Sequence, residues 1–241
     1  MKILRANEME EGDGARVRRL FPVAGCRNAD PFVLFDEFRV TPPAGFPPHP
    51  HRGFEAITYM FDGSFRHEDN LGNRSTVSRG GAQRFTAGRG LVHSETPGGS
   101  TVSHGIQLWI NLAKAKKKIA PEYQQVNADA FPEVTKGNVF IRTIVGKGSP
   151  LKLKTPVVYL DISFTDADSY TIDLPAASRQ LLIYVASGQV EMEGVRLEAG
   201  QAALNPKTVP VQVHADGKAR LIALSGHIHG ESIYQHGPFV D

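Results

Sequence analysis

Glycine and proline recur along the whole chain, leaving between them intervals too short for a helix to develop. This punctuation constrains the fold more than any other feature. The 24 glycines and 16 prolines cut the sequence into short runs rich in Val, Ile, Phe, Thr and Tyr. Examples are FVLFDEF at 32–38, EAITYMF at 55–61, GIQLWINL at 105–112, VVYLDISF at 157–164, RQLLIYVA at 179–186 and ARLIALSG at 219–226. β-Branched and aromatic side chains at strand length, bounded by turn formers, predict an all-β protein with few short helices. Helical periodicity is nearly absent: NLAKAKKKIAPEYQQ at 111–125 offers about two turns before Pro121 interrupts it. No alternation of strands with helices supports a parallel sheet.

A repeat organises these strands. ITYMFDGSF at 57–65 resembles LIYVASGQV at 182–190, with Tyr59 falling on Tyr184 and Gly63 on Gly188. Each copy then runs through a polar, hairpin-like segment to GGAQRF at 80–85 or AGQAAL at 199–204. Units this long predict two similar β domains and not a solenoid. The basic, proline-ended segment from Lys114 to Pro121 is the expected joint, giving domains 1–120 and 121–241.

A formal charge of +2 argues against nucleic acid as an obligate partner. No apolar run approaches the roughly 18 residues of a membrane span, and the first residues lack the apolar stretch of a signal peptide, so a cytoplasmic protein is expected. The lone cysteine, Cys26, has no second thiol in the chain to pair with, which agrees with a reducing compartment.

The chemistry concentrates in two short stretches. In HPHRGFE at 49–55, His49 and His51 stand at i and i+2, on one face of a strand and about 6.5–7 Å apart along it. Alone, such a pair flanking a proline reads as two loop histidines. A second pair with the same spacing, His93 and Glu95 in TAGRGLVHSETPGG, changes the odds. Turns at FDGS, NLGN and SRGG let the chain return and bring the pairs together. Three neutral imidazoles and a carboxylate suit a borderline divalent ion with positions left for substrate, and geometry must choose among iron, manganese, nickel, copper and zinc.

The blocks GFPPHPHRGFE, HEDNLGN, TAGRGLVHSE and IQLWINL also resemble the signature segments of the pirin family, within the cupin superfamily. The likeness is specific over about residues 20–125 and looser to QHGPFV near 240. It implies a bicupin, two β-sandwich barrels, with one mononuclear iron(II) in the N-terminal barrel held by His49, His51, His93 and Glu95. It further implies a dioxygenase that cleaves quercetin or a related flavonol or enolic substrate with O2, releasing carbon monoxide, with Glu95 as the base. The alternative it carries is a non-catalytic, iron-containing protein that binds transcription factors or metabolic enzymes according to its redox state. A purely structural metal clamp is a third reading.

The general cupin pattern takes its carboxylate from the first motif, here Glu55, four residues after His51. Glu55 is therefore expected near the site as a supporting group, and Gln107 is expected to reach it. In the second barrel, offsets of 125 and 119 set Leu174 and Ala176 against the first pair and Gln212 and His214 against the second, so no metal is expected there. His67 and Asp69 share a strand face, but two ligands do not make a tight site, and residues beside a turn commonly bond the local backbone. His227, His229 and His236 lack a companion carboxylate. KAKKK at 114–118 reads as a solvated linker, Trp109 as core, and Phe46 and Pro48 as pocket rim. GRG at 88–90 lacks the ending of a phosphate loop, and no GxSxG elbow signals a serine hydrolase.

Overall fold

The computed structural model describes residues 1–177 and 179–241, most of them in β-strands. The helical elements among the described residues are two 3-10 turns, Lys114–Lys116 and Ala128–Ala130. The chain forms two compact units. One holds Asn7–Ala130, Leu153–Thr155 and His229–Asp241; the other holds Met1–Ala6, Phe131–Lys152 and Pro156–Ile228.

These contacts do not part the chain at residue 120, and Lys114–Pro121 is not a joint. Lys117 is half-buried in the first unit, where Nζ donates to Gly53 O (3.0 Å), Asn111 Oδ1 (2.7 Å) and Val240 O (2.9 Å). The segment after Pro121 resumes as a strand, Glu122–Val126, paired with Ala82–Thr86. A half-buried ammonium with three acceptors is a fixed point, which a count of basic residues does not reveal.

The first unit is a sandwich of two antiparallel sheets. The larger runs Glu122–Val126, Ala82–Thr86, Phe54–Asp62, Ser103–Asn111, Phe32–Val40, Ala15–Phe21, Asn7–Glu11; the smaller runs Phe46–His51, Leu91–Pro97, Ser64–Asp69, Arg74–Ser78. Val17, Phe38 and Met60 of the large sheet pack on Phe65 and Val77 of the small one, with Phe38 and Phe65 edge to face at 4.9 Å. A second cluster gathers Leu34, Phe54, Ala56, Phe85 and Trp109 around Leu91. A polar row crosses the large sheet on the same inward face: Arg19 opposite Asp36, Asp36 opposite Gln107, Gln107 opposite Thr58, Thr58 opposite Gln83.

The second unit repeats the plan. Its larger sheet runs Lys2–Arg5, Gln201–Leu204, Arg179–Ser187, Ala219–His227, Val157–Phe164, Val139–Val145, Glu133–Lys136, and its smaller one Asp168–Ile172, Val211–Ala215, Gln189–Met192, Val195–Glu198. Tyr59 pairs with Ala82 and Ile106; Tyr184 pairs with Ala202 and Ile222. Gly63 (φ +70°) and Gly188 (φ +73°) make the same turn, each against a backbone carbonyl, where an added Cβ would lie 2.6 Å from Val102 O or 2.3 Å from Lys218 O. Four of the five positions of the polar row are apolar here, Leu160, Ala223, Ile183 and Ala203, with Thr143 at the fifth, and among the described residues the interior gathers an apolar cluster that includes Ile183, Ala203 and Ala223.

Candidate metal centre

Strand pairing builds the site. The Leu91–Pro97 strand sets His93 opposite His49 and Leu91 opposite His51; a register shift after His93 then brings Glu95 opposite Phe46. On its other edge the same strand sets Glu95 opposite His67 and His93 opposite Asp69. Period-two alternation turns Leu91, His93 and Glu95 inward and Val92 outward.

Each imidazole is held through Nδ1. His49 Nδ1 lies 2.7 Å from Pro47 O, and His51 Nδ1 lies 3.2 Å from Pro238 O. A carbonyl oxygen only accepts, so the proton sits on Nδ1 and Nε2 keeps its lone pair. The free nitrogens then converge. His93 Nε2 is 3.1 Å from His49 Nε2, while among the described residues His51 Nε2 is buried with no hydrogen-bond partner. One ligand atom from each of the three lies within 4.8 Å of the others. Lone pairs collected in a buried place cost free energy unless something positive satisfies them, and a divalent cation fits that donor set. Burial, with the His49 charge adding, pushes His51 down to about 3. Burial, reinforced by the neighbouring imidazoles, also holds His93 well below the ordinary histidine range. Both rings are thus neutral near pH 7, the state a metal ligand needs.

Glu95 stands one step away. It shares a 4.8 Å grouping with His93 and His67, whereas His49 and His51 group with His93 alone. Its Oε1 accepts from Gln83 Nε2 (2.5 Å) and Thr58 Oγ1 (2.9 Å), and its Oε2 from Gln107 Nε2 (3.3 Å). Tyr123 donates to Gln83 Oε1 (2.9 Å), which fixes that amide with its nitrogen toward Glu95. The polar row therefore serves as the cradle of the carboxylate, and Gln107 is part of it.

Glu55 is not at this site. The chain bends at Gly53, so alternation does not carry from His51 to Glu55, which lies on the face opposite Thr58. There it accepts from Thr86 Oγ1 (2.8 Å) and from the backbone N–H groups of Lys154 (2.8 Å) and Thr155 (3.2 Å). Burial raises its pKa and these donors oppose the rise. His67, read from sequence as a turn residue, is instead fully buried beside His93; Asp69 alone makes the turn contacts, to the N–H groups of Leu71 and Asn73. In the second unit the inward residues are Val211, Val213 and Ala215, with Gln212 and His214 exposed. The sequence offset of 119 was out of register there by an odd number, which exchanges the two faces.

A cavity of about 660 Å³ opens over His49 and His51, lined also by Gln107, Phe46, Phe65 and Trp109, among others, and by residues 233–238. Pro48 and Glu95 are not on its wall; Trp109 is, with its ring stacked on Phe54 at 4.2 Å. The Arg19–Asp36 pair (2.9 and 2.7 Å) lines it too. His236 reaches the cavity but neither ligand group, and the His229 N–H donates to Asp30 Oδ1 (3.2 Å). The tail is fastened by Arg52, paired at two points with Asp241 (2.9 and 2.6 Å), and by Val240 N–H donating to Arg52 O (3.1 Å).

Comparison with known proteins gives two family matches: Pirin over residues 14–110 and the Pirin C-terminal cupin domain over 159–241. Mouse pirin is 36% identical over 249 aligned positions, covering 98% of this chain and 84% of that protein. Among solved structures, quercetin 2,3-dioxygenase from Acinetobacter baumannii superposes with a TM-score of 0.90 at 26% identity, covering 100% of this chain and 90% of that one. The bacterial pirin YhhW from Escherichia coli, solved in complex with nickel(II), gives 0.74 at 22% identity over 94% of this chain and 98% of that one, a likeness of fold alone.

Proposed function

The chain belongs to the pirin family of all-β bicupins, and from that premise we propose that it is a metal-dependent dioxygenase cleaving quercetin or a related flavonol or enolic substrate. The observation that carries this reading is the convergence of three imidazole nitrogens, one of them buried and unpartnered among the described residues, beside a cavity of about 660 Å³. His49, His51 and His93, with Glu95, are the residues that would hold the ion, and iron(II) is the first candidate. When bound, such an ion supplies Lewis acidity toward an enolic hydroxyl and redox chemistry toward dioxygen.

The chain's own residues do the rest. A cavity of this size accommodates a drug-sized aromatic molecule. Phe46, Phe65 and Trp109 supply flat apolar walls for its rings, and Arg19 with Asp36 supplies polar partners for ring hydroxyls. Glu95, whose carboxylate sits behind the cavity wall, is the base assigned to the substrate's hydroxyl proton, and it must reach past Gln107 to take it. Gln83 and Thr58 hold its Oε1, while Gln107, itself on the cavity wall, reaches Oε2 and joins the carboxylate to the substrate space.

The test is metal analysis of protein purified without chelator, followed by oxygen uptake with quercetin after anaerobic loading with iron(II). One metal per chain and oxygen consumption matched to quercetin loss, with carbon monoxide released, are expected. Full metal loading with no turnover across flavonols and small enediols would refute the catalytic reading and favour the redox-dependent partner-binding one.

A further inference from the structure

We propose that Asp69 and His67 form a hydrogen-bonded relay that fixes His93 in the tautomer and ring orientation presenting Nε2 to the ion, so that His67 is a positioning residue and not a ligand. The inference rests on the ligand reading above.

His49 and His51 each give Nδ1 to a backbone carbonyl. His93 has a side chain at the equivalent place: its Nδ1 lies 3.4 Å from His67 Nδ1. The other nitrogen of His67, Nε2, lies 3.0 Å from Asp69 Oδ2. Direction along the chain follows from Asp69. Its Oδ1 receives the N–H groups of Leu71 (2.9 Å) and Asn73 (3.0 Å), and Asn73 Nδ2 reaches both oxygens (3.1 and 2.9 Å), so the carboxylate is placed wholly as an acceptor. His67 Nε2 must then be the donor, which leaves Nδ1 as a lone pair. That lone pair accepts the Nδ1–H of His93, and His93 Nε2 is left bare toward His49 Nε2.

The relay is built to be stiff. The side chains of His67 and Asp69 are fully buried. The His67 ring stacks on Tyr123 at 4.3 Å and 20°, and Tyr123 is tied to Gln83, the residue that holds Glu95. One pair of strands thus supports both ends of the ligand pair: His67 is opposite Glu95, and Asp69 is opposite His93.

Long-range 1H–15N correlation spectra of the metal-free protein read the tautomers directly. His67 is expected with its proton on Nε2 and His93 with its proton on Nδ1; the reverse tautomer at either ring would overturn the relay. Cobalt(II) titration supplies a second reading. His67→Phe keeps the stacked ring but removes both polar atoms and is expected to weaken cobalt binding by roughly 10–100-fold. His67→Gln keeps an acceptor and a donor and is expected to recover most of that loss. Equal affinity in His67→Phe would overturn the proposal. So would the loss of one imidazole from the cobalt shell of that variant by X-ray absorption, since His67 would then be a ligand. Failure of the underlying reading looks different: the wild type would bind no cobalt, or His93→Ala would bind it as the wild type does, with the tautomers left to judge the relay alone.

Discussion

Replacing Gly53 with alanine tests how the tail is joined to the candidate site. Gly53 has φ +84°, and a Cβ there would lie 1.7 Å from Val240 O and 2.9 Å from Val240 C, both backbone atoms that no rotamer change can move aside. The left-handed conformation costs an alanine about 1–2 kcal/mol. Displacing Val240 breaks its N–H bond to Arg52 O and the Lys117 ammonium bond to its carbonyl, worth about 1 and about 1.5–3 kcal/mol. The two lost bonds, about 2.5–4 kcal/mol together, leave the Arg52–Asp241 pair as a substitute anchor, and an exposed, solvent-screened ion pair is a weak one. The tail should therefore detach, taking Pro238 O from His51 Nδ1 and opening the cavity wall at 233–238. Hydrogen exchange by mass spectrometry should show protection lost across 233–241, with metal affinity lowered. Gly99→Ala, where a methyl group meets open space, is the control. Unchanged protection at the Val240 amide in Gly53→Ala would refute the reasoning.

Other outcomes follow from the same contacts. His51→Ala should lose the metal, while Glu95→Gln should keep part of it and lose turnover; intact metal content in both, by elemental analysis, would make the ligand assignment wrong. In the metal-free protein, His51 titrates near 3 when folded and near 6.5 when unfolded, so the unfolded chain binds more protons between those values. The stability that comes from keeping it neutral is present above about 6.5 and lost as pH falls toward 3, by at most about 4–5 kcal/mol. Urea unfolding between pH 7 and 4 should show a shallower loss in His51→Gln than in the wild type, and identical slopes would contradict this. Gly63→Ala and Gly188→Ala should each destabilise their own unit by about 1–3 kcal/mol in urea unfolding, because the two turns share one geometry; a loss at one alone would break the structural repeat.

The all-β architecture and the repeat are legible in the sequence because turn formers and β-branched runs act locally. So is the pairing of His49, His51 and His93, since alternation fixes the face of each residue within one strand. What fails is reasoning across a break in a strand. Glu55 follows His51 past the bend at Gly53, and the bend cancels the parity on which its expected place depended. Gln212 and His214 fail in the same way, through an offset that miscounts a turn by an odd number. His67 was legible only as half of an i, i+2 pair with Asp69; its burial depends on a neighbouring strand 26 residues away in sequence, at His93. Lys117 looked like solvated charge because nothing local signals that Val240 and Asn111 supply acceptors.

Anomalous diffraction at the metal edge, from crystals of iron-loaded protein, tests the central claim most directly. A single peak is expected about 2 Å from the Nε2 atoms of His49, His51 and His93. No peak at that place after reconstitution, or a peak held by other residues, would contradict it.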